Sequence, residues 1–228
     1  MRGFFDHFGD VLASASLEDL ERQLAQIDDT VPGRLEGRRS EHRERYCAVR
    51  LLRGLARAGR LSFPLEVTKG ERPDLVLASA ESGSIGIEIS TMTTQRHERA
   101  TTEMVKRGEG WALEDEGKLV GPGEPLRGRG FAGDEPEQSL AELFADALIR
   151  KTTSINQAGY RSADLYWLLL YDNSHLVVLT KLDEVAPYLR LPTGLSGQGQ
   201  FEAVHILRDR ALLLDAGASV GWSIISVE

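Results

Sequence analysis

Two short apolar segments, 72–77 and 85–90, constrain the fold of this 228-residue chain more than any other feature. The first reads Arg-Pro-Asp-Leu-Val-Leu and the second Ile-Gly-Ile-Glu-Ile-Ser, with a stretch rich in Ser, Gly and Ala between them. Aliphatic runs bounded by such turn residues predict two antiparallel strands joined as a hairpin. Each strand carries one acid, Asp74 or Glu88. Because burying an unpaired charge is costly, we expect both acids to be paired, hydrogen-bonded or bound to a cation.

Composition favours a globular domain and argues against a membrane protein. Hydrophobic residues make up 41% and charged residues 27% of the chain, which is ordinary for a soluble protein. The longest apolar run, Leu165 to Tyr171, is too short to span a bilayer, and no signal-peptide pattern is present, so we expect a cytoplasmic protein. Cys47 has no second cysteine to pair with, and we expect it to be a small core residue.

Charge is distributed unevenly along the chain. The formal net charge is −8, which argues against a protein that coats nucleic acid through its overall field. Between residues 34 and 60, however, nine Arg stand against three Glu. An arginine-rich helix is usually a solvated face, but it is also able to contact phosphates. Four arginines of this segment are the candidate nucleic-acid contacts: Arg43, Arg50, Arg53 and Arg57.

Two amphipathic helices are predicted to bring further charged groups to the sheet. The first, Ser40 to Ala58, places Glu44 at the end of its apolar stripe, from where a carboxylate can reach over the edge of a sheet. The second, Pro136 to Ile155, places Lys151 on its apolar stripe and the neighbouring Arg150 off it. An inward lysine is more often a snorkelling side chain than a catalytic one, so its role depends on an anionic target.

The remaining segments complete an α/β pattern. Residues Gly3 to Ile27 contain an amphipathic helix, preceded by three phenylalanines that we expect to pack on the domain or on a second subunit of a homodimer. A strand, Phe63 to Thr68, and a turn at 69–72 precede the hairpin. The continuous apolar strand Asp164 to Tyr171 is expected to enter the sheet by a helical crossover. Three shorter strands follow within 201–227.

These segments suggest two units and one insertion. We expect 1–36 to be an N-terminal helical extension and 37–228 to be an α/β domain with a mixed central sheet flanked by helices. The glycine-rich stretch 91–135 is expected to be an insertion after the second motif strand.

The paired acids suggest a site for a hard divalent cation. Asp74 and Glu88, with the carbonyl oxygen of Ile89 as a third candidate ligand, supply the oxygen donors that Mg²⁺ or Mn²⁺ prefers. Such a cation lowers the pKa of bound water and stabilises charge on a phosphoryl oxygen, and an inward Lys beside it can orient a nucleophile. Glu44 could complete the metal shell or hold a water molecule. This chemistry suits hydrolysis of a phosphodiester.

The order of these elements resembles the PD-(D/E)XK nuclease superfamily, which has the restriction-endonuclease-like fold. The resemblance covers roughly residues 40–171 and rests on Pro73-Asp74 in one strand and Glu88 in the next. It implies that Asp74 and Glu88 bind the metal and that Glu44 is the helical acid of many members. Ser90 stands where the motif has Lys, and Lys151 fits the position to which some members have moved that lysine.

Three functions remain open from the sequence. The first is a Mg²⁺- or Mn²⁺-dependent nuclease acting on DNA or RNA, with Asp74, Glu88, Lys151 and Glu44 as its catalytic residues. The second is a catalytically inactive domain of the same fold that binds nucleic acid or protein. The third is a metal-dependent hydrolase for small phosphorylated substrates, which would be favoured if the basic helix is turned away from the acids.

Overall fold

A computed structural model describes residues 3–33, 36–93, 106, 132–155, 162–174, 180–189, 201–215 and 222–227. They form a mixed α/β fold whose eight strands lie side by side in the order in which they occur in the chain. The strands are β1 (Val11–Ser14), β2 (Leu65–Lys69), β3 (Leu75–Ser79), β4 (Gly83–Thr91), β5 (Leu165–Tyr171), β6 (Ala203–Arg208), β7 (Ala211–Asp215) and β8 (Trp222–Ser226). The helices are α1 (Leu17–Leu24), α2 (Ser40–Arg57), α3 (Glu135–Ile155) and α4 (Leu182–Val185), with a 3₁₀ turn at Ala186–Tyr188.

The sheet is mixed, as the sequence predicts. β4, β5 and β6 run parallel to one another, and the remaining neighbours are antiparallel. The predicted β3–β4 hairpin and the helical crossover into β5 are confirmed. Parallel neighbours need such a crossover, and α3 lies between β4 and β5 in the chain.

The two faces of the sheet carry separate cores. On one face, α1 and α2 pack over Val67, Leu75, Ile87 and Leu169. On the other face, α3 and α4 pack over Leu168. Because side chains alternate along a strand, Glu88 points away from the face that carries Ile87 and toward the face covered by α3.

The N-terminal segment belongs to this same fold. We predicted a helical extension over 1–36, but residues 11–14 form β1, which pairs with β2, and only 17–24 are helical. Phe4 and Phe5 are buried in the core beside α2, so they pack on the domain itself. Most of the predicted insertion at 91–135 lies outside the described residues. Among the described helices none is both long and apolar enough to cross a membrane.

Candidate functional site

Asp74 and Glu88 meet where the β3–β4 hairpin ends. The ladder stops at the pair Leu75–Ile87, and Asp74 is the residue just before β3. Its Oδ2 accepts a hydrogen bond from the N–H of Ile89, the residue after Glu88, and the negative charge of Glu88 raises the pKa of Asp74. The two acids therefore lie close enough to interact through their charges.

The backbone around Asp74 is held by two close approaches that only glycine permits. The Gly70 N–H donates to the Asp74 carbonyl (2.9 Å), and a Cβ on Gly70 would lie 2.4 Å from the carbonyl oxygen of Pro73. A Cβ on Gly86 would lie 2.8 Å from the Pro73 ring and 2.9 Å from the ring of Tyr166. The glycines thus let Pro73 lie flat against β4 and fix the position of Asp74.

The carboxylate of Asp74 is partly buried and shares its surroundings with another acid. Its Oδ2 accepts a hydrogen bond from the Ile89 N–H (2.7 Å), and its Oδ1 lies 3.9 Å from Nζ of Lys69. Burial and, next, the negative charge of Glu88 together raise the pKa of Asp74 to about 6, against the opposing effects of Ile89 and Lys69. A raised carboxyl pKa marks a site where added positive charge would be favourable.

Glu88 has one oxygen paired and the other without a protein partner. Its Oε1 lies 2.6 Å from Nζ of Lys151. Its Oε2 is buried and has no hydrogen-bond partner among the described residues. Because a buried carboxylate oxygen that lacks a partner is costly, an added cation would be favourable beside this atom.

Lys151 reaches Glu88 from α3, on the face predicted for it. The side chain of Lys151 is 25% exposed, whereas the neighbouring Arg150 is exposed. The predicted inward orientation of Lys151 is confirmed, and its anionic target is Glu88. Ser90, which stands at the motif's lysine position, follows Glu88 by two residues and therefore lies on the same face of β4.

Glu44 approaches from α2 but contacts a lysine that the sequence analysis did not identify. Its Oε2 lies 2.9 Å from Nζ of Lys69, the last residue of β2. We read residues 69–72 as a turn and therefore missed Lys69. The signal was present, because Leu65, Val67 and Lys69 alternate with polar residues, which puts Lys69 on the face covered by α2.

The donors at this site fit a hard divalent cation. Asp74, Glu88 and Glu44 carry three carboxylates, while Lys69 and Lys151 carry two ammonium groups, which leaves one net negative charge when all are ionised. Mg²⁺ typically binds one or two carboxylates and keeps several waters. No group of three or more His, Cys, Asp or Glu in the described part of the chain is arranged to hold a metal, so a cation here would rely on Asp74, Glu88 and water.

The orientation of the Ile89 carbonyl follows from that of its N–H. The Ile89 N–H points to Asp74, beyond the last residue pair of the β3–β4 ladder. Since the N–H and C=O of one strand residue project to the same side, the Ile89 carbonyl also faces the β3 side, next to Asp74. It stays a candidate third ligand.

Three of the four candidate arginines are held by contacts within the protein. Arg50 donates to the Val227 carbonyl (2.9 Å) and pairs with Asp29, and Arg53 donates to the Leu24 carbonyl (3.1 Å). The third, Arg57, donates to the carbonyl of Ser226. These bonds attach α2 to β8 and to the segment after α1. Contact of these three side chains with nucleic acid stays a prediction, and it would compete with these bonds.

Arg43 differs from the other three. In the described part of the structure it has no hydrogen bond or ion pair. Arg43 precedes the buried Cys47 by one helical turn, so it lies at the N-terminal end of the inward stripe of α2. Burial raises the pKa of Cys47 to about 12, which keeps its thiol protonated and confirms its place in the core.

Comparison with known proteins identified no relative of this chain. No family model, no curated protein and no solved structure matches the chain.

Proposed function

We propose that this protein is a Mg²⁺- or Mn²⁺-dependent nuclease that hydrolyses phosphodiester bonds in DNA or RNA. The observation that supports the proposal most strongly is the buried Oε2 of Glu88, which lies near Asp74 and has no hydrogen-bond partner among the described residues, with Lys151 on the other Glu88 oxygen. The element order of the PD-(D/E)XK nucleases, with its acids on two adjacent strands, agrees with this arrangement.

Each residue of the site has a role that its position favours. Asp74 and Glu88 hold the cation, and Ile89 offers its carbonyl beside them. The cation, when bound, supplies a Lewis acid that polarises the phosphodiester and acidifies water. The ammonium of Lys151 is close enough to Glu88 to orient a water molecule or to donate to a phosphoryl oxygen that gains negative charge.

The nucleic acid would approach along the N-terminal part of α2. Arg43 is the candidate phosphate contact there, because its guanidinium is not engaged in a described ion pair and it lies on the same stripe of α2 as Cys47, which faces the sheet. Arginine favours phosphate oxygens through its planar, forked donors. The chain's formal charge of −8 means that such a contact has to act locally.

One observation favours a second function, hydrolysis of small phosphorylated substrates. Arg50, Arg53 and Arg57 are turned toward α1 and β8, so the basic helix presents fewer charges to the site than its sequence suggests. A long nucleic-acid backbone needs several phosphate contacts, whereas a small phosphomonoester or cyclic phosphodiester needs only one or two.

A cleavage assay tests the proposal and separates it from its alternatives. The purified protein is incubated with Mn²⁺ and, in parallel, with single- and double-stranded DNA, RNA, bis(p-nitrophenyl) phosphate and p-nitrophenyl phosphate. Cleavage of a polynucleotide that is abolished by Asp74→Ala and retained in Asp164→Ala supports the nuclease. Asp164 is a suitable control because it lies at the opposite end of β4, where it accepts from Ser84.

Two other outcomes would contradict the nuclease proposal. Turnover of only the small esters would support the second function. Mn²⁺ binding without turnover of any substrate would support the inactive domain that serves as a binding module.

A further inference from the structure

The ammonium of Lys69 lies between two carboxylates that it contacts unequally. It is 2.9 Å from Oε2 of Glu44, a normal charge-assisted hydrogen bond, and 3.9 Å from Oδ1 of Asp74, beyond hydrogen-bond distance. Nζ is also 5.2 Å from the centre of the Phe4 ring, within the range of a cation–π contact. Of the two carboxylates, only Glu44 is therefore in direct hydrogen-bond contact with this amine.

The oxygen of Asp74 that faces Lys69, Oδ1, accepts no hydrogen bond from the described residues. The other oxygen, Oδ2, is already occupied by the Ile89 N–H at 2.7 Å. An ammonium and a divalent cation compete for the same carboxylate oxygen, and a lysine on its flexible four-carbon stem can move about 1 Å at little cost. Without a competing anchor, Lys69 would move into direct contact with Oδ1 of Asp74.

We propose that Glu44 is a positioning residue that tethers Lys69 and thereby keeps Oδ1 of Asp74 open to a divalent cation. This inference rests on the proposed metal site, and it gives Glu44 a role other than the direct metal contact suggested by its place in the sequence. Glu44 acts through Lys69. Its removal allows the lysine to neutralise Asp74, and removal of the lysine makes the tether unnecessary.

The proposal predicts an interaction between two substitutions. Glu44→Gln removes a nearby negative charge and also releases Lys69, whereas in a Lys69→Met background it removes only the charge. Moving an ammonium from 3.9 Å to hydrogen-bond distance from a carboxylate is expected to weaken cation binding roughly tenfold. This part of the Glu44→Gln effect should disappear when Lys69 is Met.

Isothermal titration with Mn²⁺ measures the interaction without requiring catalysis. The four proteins are the wild type, Glu44→Gln, Lys69→Met and the double variant, each checked for folding by thermal denaturation. Lys69→Gln replaces Lys69→Met if the apolar side chain prevents folding. Glu184→Gln is the matched control, because Glu184 also pairs with a lysine, Lys181, at 3.0 Å but on an exposed surface.

The results separate this inference from the proposed function. We expect Glu44→Gln to weaken Mn²⁺ binding about tenfold more in the wild-type background than in the Lys69→Met background. Lys69→Met alone should bind Mn²⁺ more tightly than the wild type. The control Glu184→Gln should bind Mn²⁺ with the same affinity as the wild type. An equal effect of Glu44→Gln in both backgrounds would overturn the tether and indicate a direct metal contact. Absence of Mn²⁺ binding to the wild type would instead overturn the metal site itself.

Discussion

The ammonium nitrogen of Lys151 lies 2.6 Å from Oε1 of Glu88, which connects α3 to the strand that carries the second acid. The two residues are separated by 63 positions in the chain and meet because α3 crosses over the face of β4 on which Glu88 lies. The pair leaves Oε2 of Glu88 without a partner in the described structure. Lys151 is thus close to the site that we assign to the cation, but it contacts only one of the two Glu88 oxygens.

Lys151→Ala should abolish metal-dependent cleavage while the fold persists. The side chain is partly exposed and its aliphatic stem lies at the margin of the core, so truncation costs little packing. Loss of a donor that stabilises charge in the transition state typically reduces turnover by about 10² to 10³-fold. Cleavage rates are compared with those of Arg150→Ala, which changes the exposed neighbour on the same helix. Wild-type turnover by Lys151→Ala would remove Lys151 from the mechanism.

Asp74→Asn should stabilise the metal-free protein at neutral pH and destroy its metal binding. Asp74 has an ordinary pKa of 3.8 when unfolded and about 6 when folded, so the folded state binds its proton more tightly. The stability that this proton gives is complete below pH 3.8 and is lost as the pH rises through about 6. A shift of this size corresponds to about 3 kcal/mol at pH 8.

Urea denaturation at several pH values measures this effect. The difference in unfolding free energy between Asp74→Asn and the wild type should grow from pH 4 to pH 7 and then remain constant. Burial lowers the pKa of His205 to about 3, which changes the stability with pH in the opposite direction. This contribution is the same in both proteins, so it cancels in the difference between their unfolding free energies. A difference that does not change with pH would mean that Asp74 is not a destabilised acid.

Gly86→Ala should disturb the site through packing. Its new methyl group would lie 2.8 Å from the Pro73 ring and 2.9 Å from the ring of Tyr166, neither of which is the free end of a flexible chain. Overpacking of this kind costs about 1–3 kcal/mol. Displacing Pro73 also displaces Asp74, so Mn²⁺ affinity should fall together with stability. Urea denaturation and Mn²⁺ titration check the two effects, and an unchanged denaturation midpoint would show that the strand accommodates the methyl group.

The sides on which Glu88 and Lys151 lie were predictable because local periodicity determines which face a side chain occupies. A period of two gives the faces of β4, and a period of 3.6 gives the inward stripe of α3. The place of Asp74 depends on the irregular segment before β3, which has no such period. Contacts between distant elements do not follow from local periodicity. The pairing of β1 with β2 joins residues more than 50 positions apart, so the sequence between 3 and 27 showed only its helical part.

The contacts of Lys69 and of the α2 arginines were not predictable from the sequence for the same reason. Lys69 ends β2 beside a turn, and its importance depends on the approach of Glu44 from another element. The arginines were correctly placed on α2, but their periodicity does not reveal that Asp29 pairs with Arg50 and Arg53 or that Arg50 donates to the Val227 carbonyl. Whether a charged face is solvated or covered is decided by tertiary packing.

Arg43→Ala should affect nucleic-acid binding, whereas Arg50→Ala should affect stability. Arg43→Ala should weaken nucleic-acid binding and reduce its salt dependence by about one phosphate contact, with little change in stability. Arg50→Ala should lower the unfolding free energy by about 1–3 kcal/mol, because it removes the bond to Val227 and leaves Asp29 with fewer partners. Fluorescence anisotropy at several salt concentrations and urea denaturation are the two measurements. Unchanged binding by Arg43→Ala would favour the small-substrate hydrolase.

The most direct test of the metal site is a crystal structure of the protein grown or soaked with Mn²⁺, with anomalous differences measured at the manganese edge. The account predicts an anomalous peak within bonding distance of Asp74 Oδ1 and Glu88 Oε2, with Lys69 still on Glu44. Well-ordered Asp74 and Glu88 side chains with no peak between them, at a Mn²⁺ concentration in the millimolar range, would contradict it.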